Sequence, residues 1–558
     1  MREEQREAAP CASYAFERLR HLLRPPVTIT PPPPEVFRER DVEVPMRDGT
    51  VLRVNVHRPR QGGRHPVIIC AHPYGKDNLP RRASGGRYSL PRYYRIMHIS
   101  EPVRHSALAS WEAPDPAFWV PRGYVVVNAD LRGFGRSDGE GTLFTRQEHD
   151  DYHDIIEWAA AQPWSTGRVG LNGVSYLALS QWGAAATRPP HLCAICPWEG
   201  FSDLYRDLAC PGGIEERGFF AIWSRGVRAG GRISLDLLGE QARHPERDDW
   251  WAEHTPRLDD IEVPMLVCGS FSDHTLHTRG SFRGFARASS KHRWLYTHRG
   301  GKWSVYYSRE ALEAQARFFD WALKDEDNGM ADVPPVRLEV RRSRREIHEV
   351  RHEAAWPLPS TVFTPLWLRS DGRLDRDPSE AGSALSFDTR NGRLTFTYTF
   401  DHDTEITGPM KLRLHVEARG ADDLHLFAGV RKFSNGREVT FEGGYGFGLD
   451  MVTRGWLKAS HRALDLEQTR DWQPVHTHRN RQPLSPGEIV AVDIALLPSS
   501  TFFAKGESMR LDVQGRWFYL WNPFLGAFPA RYAPSPPATC VAHVGGVHDA
   551  HLLVPFIP

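Results

Sequence analysis

The chain has 558 residues, 40 % of them hydrophobic and 11 % aromatic, with 70 Lys+Arg set against 69 Asp+Glu. A length several times the ~150 residues of an ordinary domain implies three or four folding units, and so much apolar surface excludes wholesale disorder. A formal charge of +1 supplies no net field to displace counterions from phosphate, which argues against a nucleic-acid partner. No run of about 18 apolar residues marks a membrane span, and the charged N-terminus lacks the apolar segment of a secretory signal. Seven cysteines, an odd and sparse set, read as reduced thiols and place the chain in the cytoplasm. Cys193 and Cys196 form a C-x-x-C, but inside an apolar run, where thiols behave as small hydrophobes.

In chain order, residues 1–40 form a peripheral arm ending in the proline clusters Pro25-Pro26 and Pro31 to Pro34. From residue 41 to 328 short apolar runs alternate with helical patterns. Strands are expected at Asp41–Val44, Val51–Val56, Pro66–Cys70, Tyr124–Ala129, Val169–Asn172, Leu192–Cys196, Met265–Cys268 and Arg293–Tyr296. Helices are expected near 147–162, 176–187, 276–288 and 308–324; the last places Leu312, Ala316, Phe319 and Leu323 on one face. This alternation implies a mainly parallel, doubly wound α/β sheet opened by an antiparallel hairpin. Two insertions interrupt it, at 75–121 and at 199–260. The second carries helical pieces at Leu204–Leu208 and Ile233–Leu238 and suits a helical cap over a pocket. The polar stretch Lys324 to Gly329 then closes the α/β core, whose parts are 41–198 and 261–328. Beyond it helical patterns vanish. Runs such as Leu394–Phe400, Lys411–Val416, Leu424–Val430, Ile489–Leu496 and Met509–Val513 predict an all-β sandwich of jelly-roll type over 329–558.

The strict nucleophile pattern G-x-S-x-G occurs at Gly135-Arg136-Ser137-Asp138-Gly139, but loop residues follow Ser137 where a helix should begin. Arg168 to Trp182 instead reads as strand, sharp turn and helix around Gly173-Val174-Ser175-Tyr176-Leu177-Ala178. Small residues flanking the serine let the backbone bend, and a helix N-terminus at Ser175 favours an oxyanion. An N-cap serine would look the same locally, so its partners must decide. A weakly acidic hydroxyl needs a base oriented by a carboxylate, in the order Ser, Asp, His for hydrolases built on such sheets. Asp273 and His298 lie just past two successive strands, where open α/β sheets bind their ligands. His274 and His277, on the Asp273 loop, rank behind His298, and His292 belongs to the opposite sheet edge. For the oxyanion, the Tyr176 amide and the Tyr74 hydroxyl are the expected donors, with His72 as a packed loop residue. The run Glu148 to Asp154 spaces His149 and His153 four apart but lacks the H-E-x-x-H order, so it reads as an acidic first helical turn. No metal and no cofactor are expected.

These residues resemble the cocaine-esterase and X-Pro dipeptidyl-peptidase (CocE/NonD) group of serine hydrolases. The resemblance runs from about residue 40 to the C-terminus. Its carriers are Arg47-Asp48-Gly49-Thr50, His72-Pro73-Tyr74-Gly75-Lys76, the Asp130 to Ser137 segment, Gly173-Val174-Ser175-Tyr176-Leu177, Pro486-Gly487-Glu488 and Gly545 to Leu553. It implies an α/β-hydrolase core, a helical cap and a C-terminal jelly roll. It also implies Ser175 as nucleophile, Asp273 and His298 as the rest of the triad, and Tyr74 with Tyr176 as the oxyanion hole. Two departures stand out. Ala178 replaces a glycine, and the histidine segment reads Tyr296-Thr297-His298-Arg299-Gly300-Gly301 where the family usually has Gly-Pro-Trp.

The expected activity is hydrolysis of a carboxylic ester through an acyl-enzyme, in a pocket taking mostly apolar acyl groups. X-Pro dipeptide release would need carboxylates for a free amine, for which Glu199, Glu215 and Glu216 are the candidates. Acyl transfer or C–C bond hydrolysis could use the same triad. From another class, a carbohydrate-binding protein with an inactive core would use exposed rings such as Trp517 and Trp521. The partner is a small-molecule ester or amide, and a homodimer is the one macromolecular assembly left open.

Overall fold

The computed structural model describes residues 12–97, 99–519 and 528–558. Nine strands make the central sheet: β1 (Val36–Pro45), β2 (Val51–Pro59), β3 (His65–His72), β4 (Val125–Asp130), β5 (Ser165–Val174), β6 (Leu192–Trp198), β7 (Met265–Ser270), β8 (Arg293–His298) and β9 (Val336–Arg341). Their spatial order is β1-β2-β4-β3-β5-β6-β7-β8-β9. The β1–β2 and β2–β4 pairs are antiparallel and the rest parallel. The near-continuous apolar runs follow from this topology, because a parallel sheet is covered on both faces. β3 through β6 are buried almost throughout.

Besides Ala12–Leu23 in the N-terminal arm and the short turns Tyr93–Ile96 and Pro116–Trp119, the helices are α1 (Arg146–Ala160), α2 (Tyr176–Ala186), α3 (Phe219–Gly230), α4 (Leu237–Arg243), α5 (Asp249–Glu253), α6 (Thr278–Arg287), α7 (Lys302–Tyr306) and α8 (Arg309–Lys324). Helix α1 starts where Thr145 Oγ1 accepts the Glu148 amide; α8 starts where Ser308 Oγ accepts the Ala311 amide. On α8 the residues Ala316, Phe319 and Leu323 are buried against the sheet, as their spacing predicts, while Leu312, expected on the same face, is only half-buried. None of the helices is long and apolar enough to cross a membrane, among the described residues.

Three elements differ from the sequence reading. β1 begins at Val36, inside the proline-rich arm, and a bulge between Glu39 and Val42 with Asp41 at φ 54° hides its alternation. The arm is also pinned earlier, by a parallel pairing of Val27–Thr30 with Val103–Ser106. Between β6 and β7 the main helix is α3, while Tyr205–Ala209 forms only a π-turn.

The C-terminal half is a separate β domain of two antiparallel sheets. One contains Val362–Leu368, His551–Ile557, Thr404–Arg419, Val490–Phe503, Thr539–Val544 and Ser383–Asp388. The other contains Arg393–Thr399, Ser508–Gln514, His425–Ser434 and Thr453–Lys458. Leu412, Leu414, Val430, Ile494, Leu511 and Leu552 belong to their shared core. The domain is not hung on a free linker. β9 pairs in parallel with β8 at Leu295↔Val336, and its far end meets Thr501, so one ladder runs from the core into the β domain.

Candidate active site

Strand β5 ends at Val174 and α2 begins at Tyr176, leaving Ser175 alone in the bend with φ 60° and ψ −115°. A non-glycine residue there is strained by about 1–3 kcal/mol and persists only where neighbours hold it. They do: the Ser175 amide donates to Trp198 O, and Ser175 O accepts from the amides of Ala178 and Leu179. Gly173, at φ 146°, is required, because a Cβ there would sit 2.4 Å from the Cβ of Leu177. Ser175 is 7 % exposed. Ser137 fills a different role: it is fully buried, donates to Asp130 O at 2.7 Å and accepts the Arg53 amide at 2.9 Å, so it ties a loop together.

The histidine facing Ser175 is His277. Its Nε2 lies 3.0 Å from Ser175 Oγ, and its ring stacks on Phe201. The Phe201 amide donates to Nδ1 at 3.2 Å, so a neutral His277 carries its proton on Nε2, directed at the serine. Burial, with the Lys302 charge second, holds His277 well below the ordinary histidine range.

His298, expected on Ser175 from chain order, is instead paired with Glu199, Nε2 to Oε1 at 3.0 Å. The physical reason is strand length. β8 continues in register to His298, opposite Ser270, so His298 remains inside the sheet. The loop after β7 instead carries His277 over the serine, its turn fixed by amides of Leu276, His277 and Thr278 on Asp273 O. Asp273 likewise faces a lysine: Lys302 Nζ is 2.7 Å from Oδ2. Burial raises the Asp273 carboxyl to about 6 against the opposing pull of Lys302. Glu199 also accepts from Ser270 Oγ; burial would raise it, but His298, Lys302 and Ser270 together hold it below the usual range. Sequence reasoning ranked His277 second, cast Glu199 only as a candidate partner for a substrate amine, and passed over Lys302 and Glu112. The one available signal was the altered segment after β8, which ends in Gly301-Lys302-Trp303.

Glu112, at φ 65°, anchors the site from beneath: its carbonyl takes the Val174 amide and its Oε1 the Trp303 indole N–H. Burial pushes its carboxyl up to about 8, so it is protonated at neutral pH. Above lies an aromatic wall. Tyr74 meets Tyr176 and Tyr93 edge-on, Tyr93 stacks on Trp111, Trp111 meets Trp303, and Trp303 stacks on Tyr445 of the β domain. Trp223 of α3 stacks on Tyr176, and its indole N–H donates to the Tyr74 hydroxyl at 3.3 Å. The loop bearing Tyr74 is fixed by its buried neighbour Lys76, whose Nζ touches Asp41, Asp77 and Asp130 at 2.7, 2.9 and 3.1 Å. His72 is packed as expected, its Nδ1 accepting the Tyr74 amide and its Nε2 facing Asn128 Oδ1.

The remaining candidates disperse. Glu148 accepts the Tyr176 hydroxyl and the Phe144 amide, while His153 faces Thr187. Glu199, Cys268 and His298 are close enough to hold an ion, but the Glu199–His298 bond and the nearby Lys302 charge already satisfy the carboxylate. Glu215 is paired with Arg217, and Glu216 accepts amides of Gly218, Phe220 and Arg531. Trp517 packs against Trp456 and Tyr532, and Trp521 lies outside the described residues.

A serine in a strained strand-to-helix bend, imidazole-bonded at the carboxyl ends of a mostly parallel sheet, defines a serine hydrolase of α/β-hydrolase type. Residues 48–302 match the family model of X-Pro dipeptidyl-peptidases (S15 family), and 328–552 match that of the X-Pro dipeptidyl-peptidase C-terminal non-catalytic domain. A CocE/NonD family hydrolase from Staphylococcus aureus superposes with TM-score 0.88 at 39 % identity, over 94 % of both chains. Cocaine esterase from Rhodococcus sp. is 25 % identical over 93 % of this chain and 98 % of its own. An α-amino acid ester hydrolase shares the fold, with TM-score 0.68 at 17 % identity over 94 % of this chain and 97 % of its own. The chain belongs to the CocE/NonD family of hydrolases.

Proposed function

We propose that the chain hydrolyses carboxylic esters through an acyl-enzyme on Ser175, with His277 as general base and Tyr74 and the Tyr176 amide as oxyanion donors. The observation that carries this reading is Ser175 Oγ standing 3.0 Å from His277 Nε2 in a bend at φ 60°. Oγ bonds to the acyl carbon while its proton passes to Nε2. The alkoxide leaves with that proton, and water reverses the sequence to free the acid. Nε2 can accept only with the ring proton on Nδ1, so the Phe201 amide contact must open first. Asp273 and Lys302 hold the base loop, and Glu199 with His298 forms the floor beneath it.

Residues 199–260 act as a helical cap, for which Trp223 over Tyr176 is the support. With Ser175 so little exposed, substrate enters when α3 lifts. The arm is 1–40, the core 41–198 and 261–328, and the sandwich of 329–558 a jelly roll. Ester cleavage is favoured over X-Pro release because Glu199, Glu215 and Glu216 are already bonded within the protein.

The test uses a p-nitrophenyl ester, a Gly-Pro chromogenic amide and a fluorophosphonate probe. We expect ester turnover above amide turnover, and probe labelling lost in Ser175→Ala with kcat down on the order of 10⁶. Normal ester turnover by Ser175→Ala would overturn the assignment. Absence of labelling in the native chain would favour the carbohydrate-binding alternative.

A further inference from the structure

The segment 78–100 holds five arginines and no acidic residue, in a chain whose charges otherwise nearly cancel. Of these, Arg81, Arg82, Arg87 and Arg92 are exposed, and none is ion-paired among the described residues. The first three lie on or beside the short hairpin that pairs Arg81 with Ser89 and Arg82 with Tyr88. Both ends of the lobe are fixed on the aromatic wall above Ser175: the chain leaves it at Tyr74 and rejoins it at Tyr93, next to Arg92. The Arg92 charge reaches the Tyr93 phenol, opposing the rise that burial and Glu112 cause.

The carboxyl groups beneath the aromatic wall are largely engaged within the protein. Asp273 is neutralised by Lys302, Glu199 faces His298, and Glu112 is protonated at neutral pH. A basic lobe anchored on the low-dielectric aromatic wall beside Ser175 raises the local concentration of anions, because such walls focus the field.

We propose that this basic lobe selects esters carrying a second, anionic group, a carboxylate or phosphate held at the rim while the ester lies against Ser175. This rests on the ester reading above and names its substrate class.

The test compares p-nitrophenyl butyrate with mono-p-nitrophenyl glutarate, which differ by one carboxylate. At low salt the glutarate-to-butyrate ratio of kcat/KM should be about 10 or more, falling toward 1 near 0.5 M salt as the field is screened. In R81Q/R82Q/R87Q the low-salt ratio should fall toward 1. A native ratio near 1, or one unmoved by the triple substitution, overturns the proposal while leaving the ester reading intact. Arginine-dependent binding to anionic lipid vesicles with no effect on the ratio would also overturn it, in favour of a membrane surface. If neither ester were turned over, the ester reading would fall and this inference with it.

Discussion

The bend between β5 and α2 and the loops after β7 and β8 contribute to one site but are built in opposite ways. The bend is local: Gly173, Ser175 and Ala178 lie within six residues, and strand, turn and helix follow from their order. The loops are assembled at long range. His277 reaches Ser175 across 102 positions, His298 reaches Glu199 across 99, and Asp273 is matched by a lysine at the head of α7. Local stereochemistry leaves few solutions, whereas three histidines near two strand ends leave several. The bend at Ser175 could therefore be read from the sequence, while the histidine that faces it could not be decided there.

The β domain sharpens the contrast, because it braces the loop side. Arg341 of β9 is fully buried and donates to Phe271 O at 2.9 Å, as well as to Val452 O and Ser499 Oγ. His274 Nε2 faces Pro498 O, and a Cβ on Gly444 would come within 2.8 Å of Asp273 Oδ1. The β domain thus holds the Asp273–His277 loop in place.

The largest expected effect separates the two histidines. His277→Ala should cost kcat on the order of 10⁶, as for the serine it acts with. His298→Asn, a change two contacts away, should cost no more than about 100-fold. Steady-state ester kinetics on both variants decides this, and the reverse ranking would restore the order read from the sequence. Next in size, Tyr74→Phe should lower kcat by about 10²–10³ with little change in KM, as for a donor used mainly in the transition state. An unchanged kcat would remove Tyr74 from the oxyanion hole.

Smaller, and on the support side, Arg341→Met should cost about 3 kcal/mol of stability by leaving carbonyls unpaired, read as a lowered urea midpoint. If the β domain holds the base loop, kcat falls with it under conditions where the variant stays folded. The smallest effect is a slope. Folded Glu112 and Glu148 keep their protons to about 8 and about 7, above the ordinary 4.5, so the native state binds more protons than the unfolded chain. The contribution of these two groups to stability therefore declines as pH rises from about 4.5 toward 8, by up to about 1.4 kcal/mol per pH unit for each. Glu112→Gln should flatten that decline in thermal melts taken from pH 5 to 8.

Much of the fold could be read from the sequence, since apolar runs and helical spacing mark β2 through β8 and α1, α2, α6 and α8 to within a few residues. β1 was obscured by its bulge, and α3 by a sequence whose glycines at 226 and 230 weaken a helical pattern. At the site, Ser175, Tyr74 and the packed His72 answer to nearby sequence. Glu112, Lys302 and the pairing of Glu199 with His298 become visible only when folding brings strand ends together, because a lone buried charge carries no periodic signature.

The β8–β9 ladder has a practical consequence for dissecting the molecule. The acidic stretch near residue 328 looks like a place to cut, but a fragment ending there would keep β8 with its outer N–H and C=O groups bare. A buried six-residue strand left unpaired along one edge invites another chain to dock on it. Such a fragment should self-associate rather than behave as a minimal enzyme. Recombining the halves as separate polypeptides, with β9 restored to its groove, is the cleaner way to ask what each contributes.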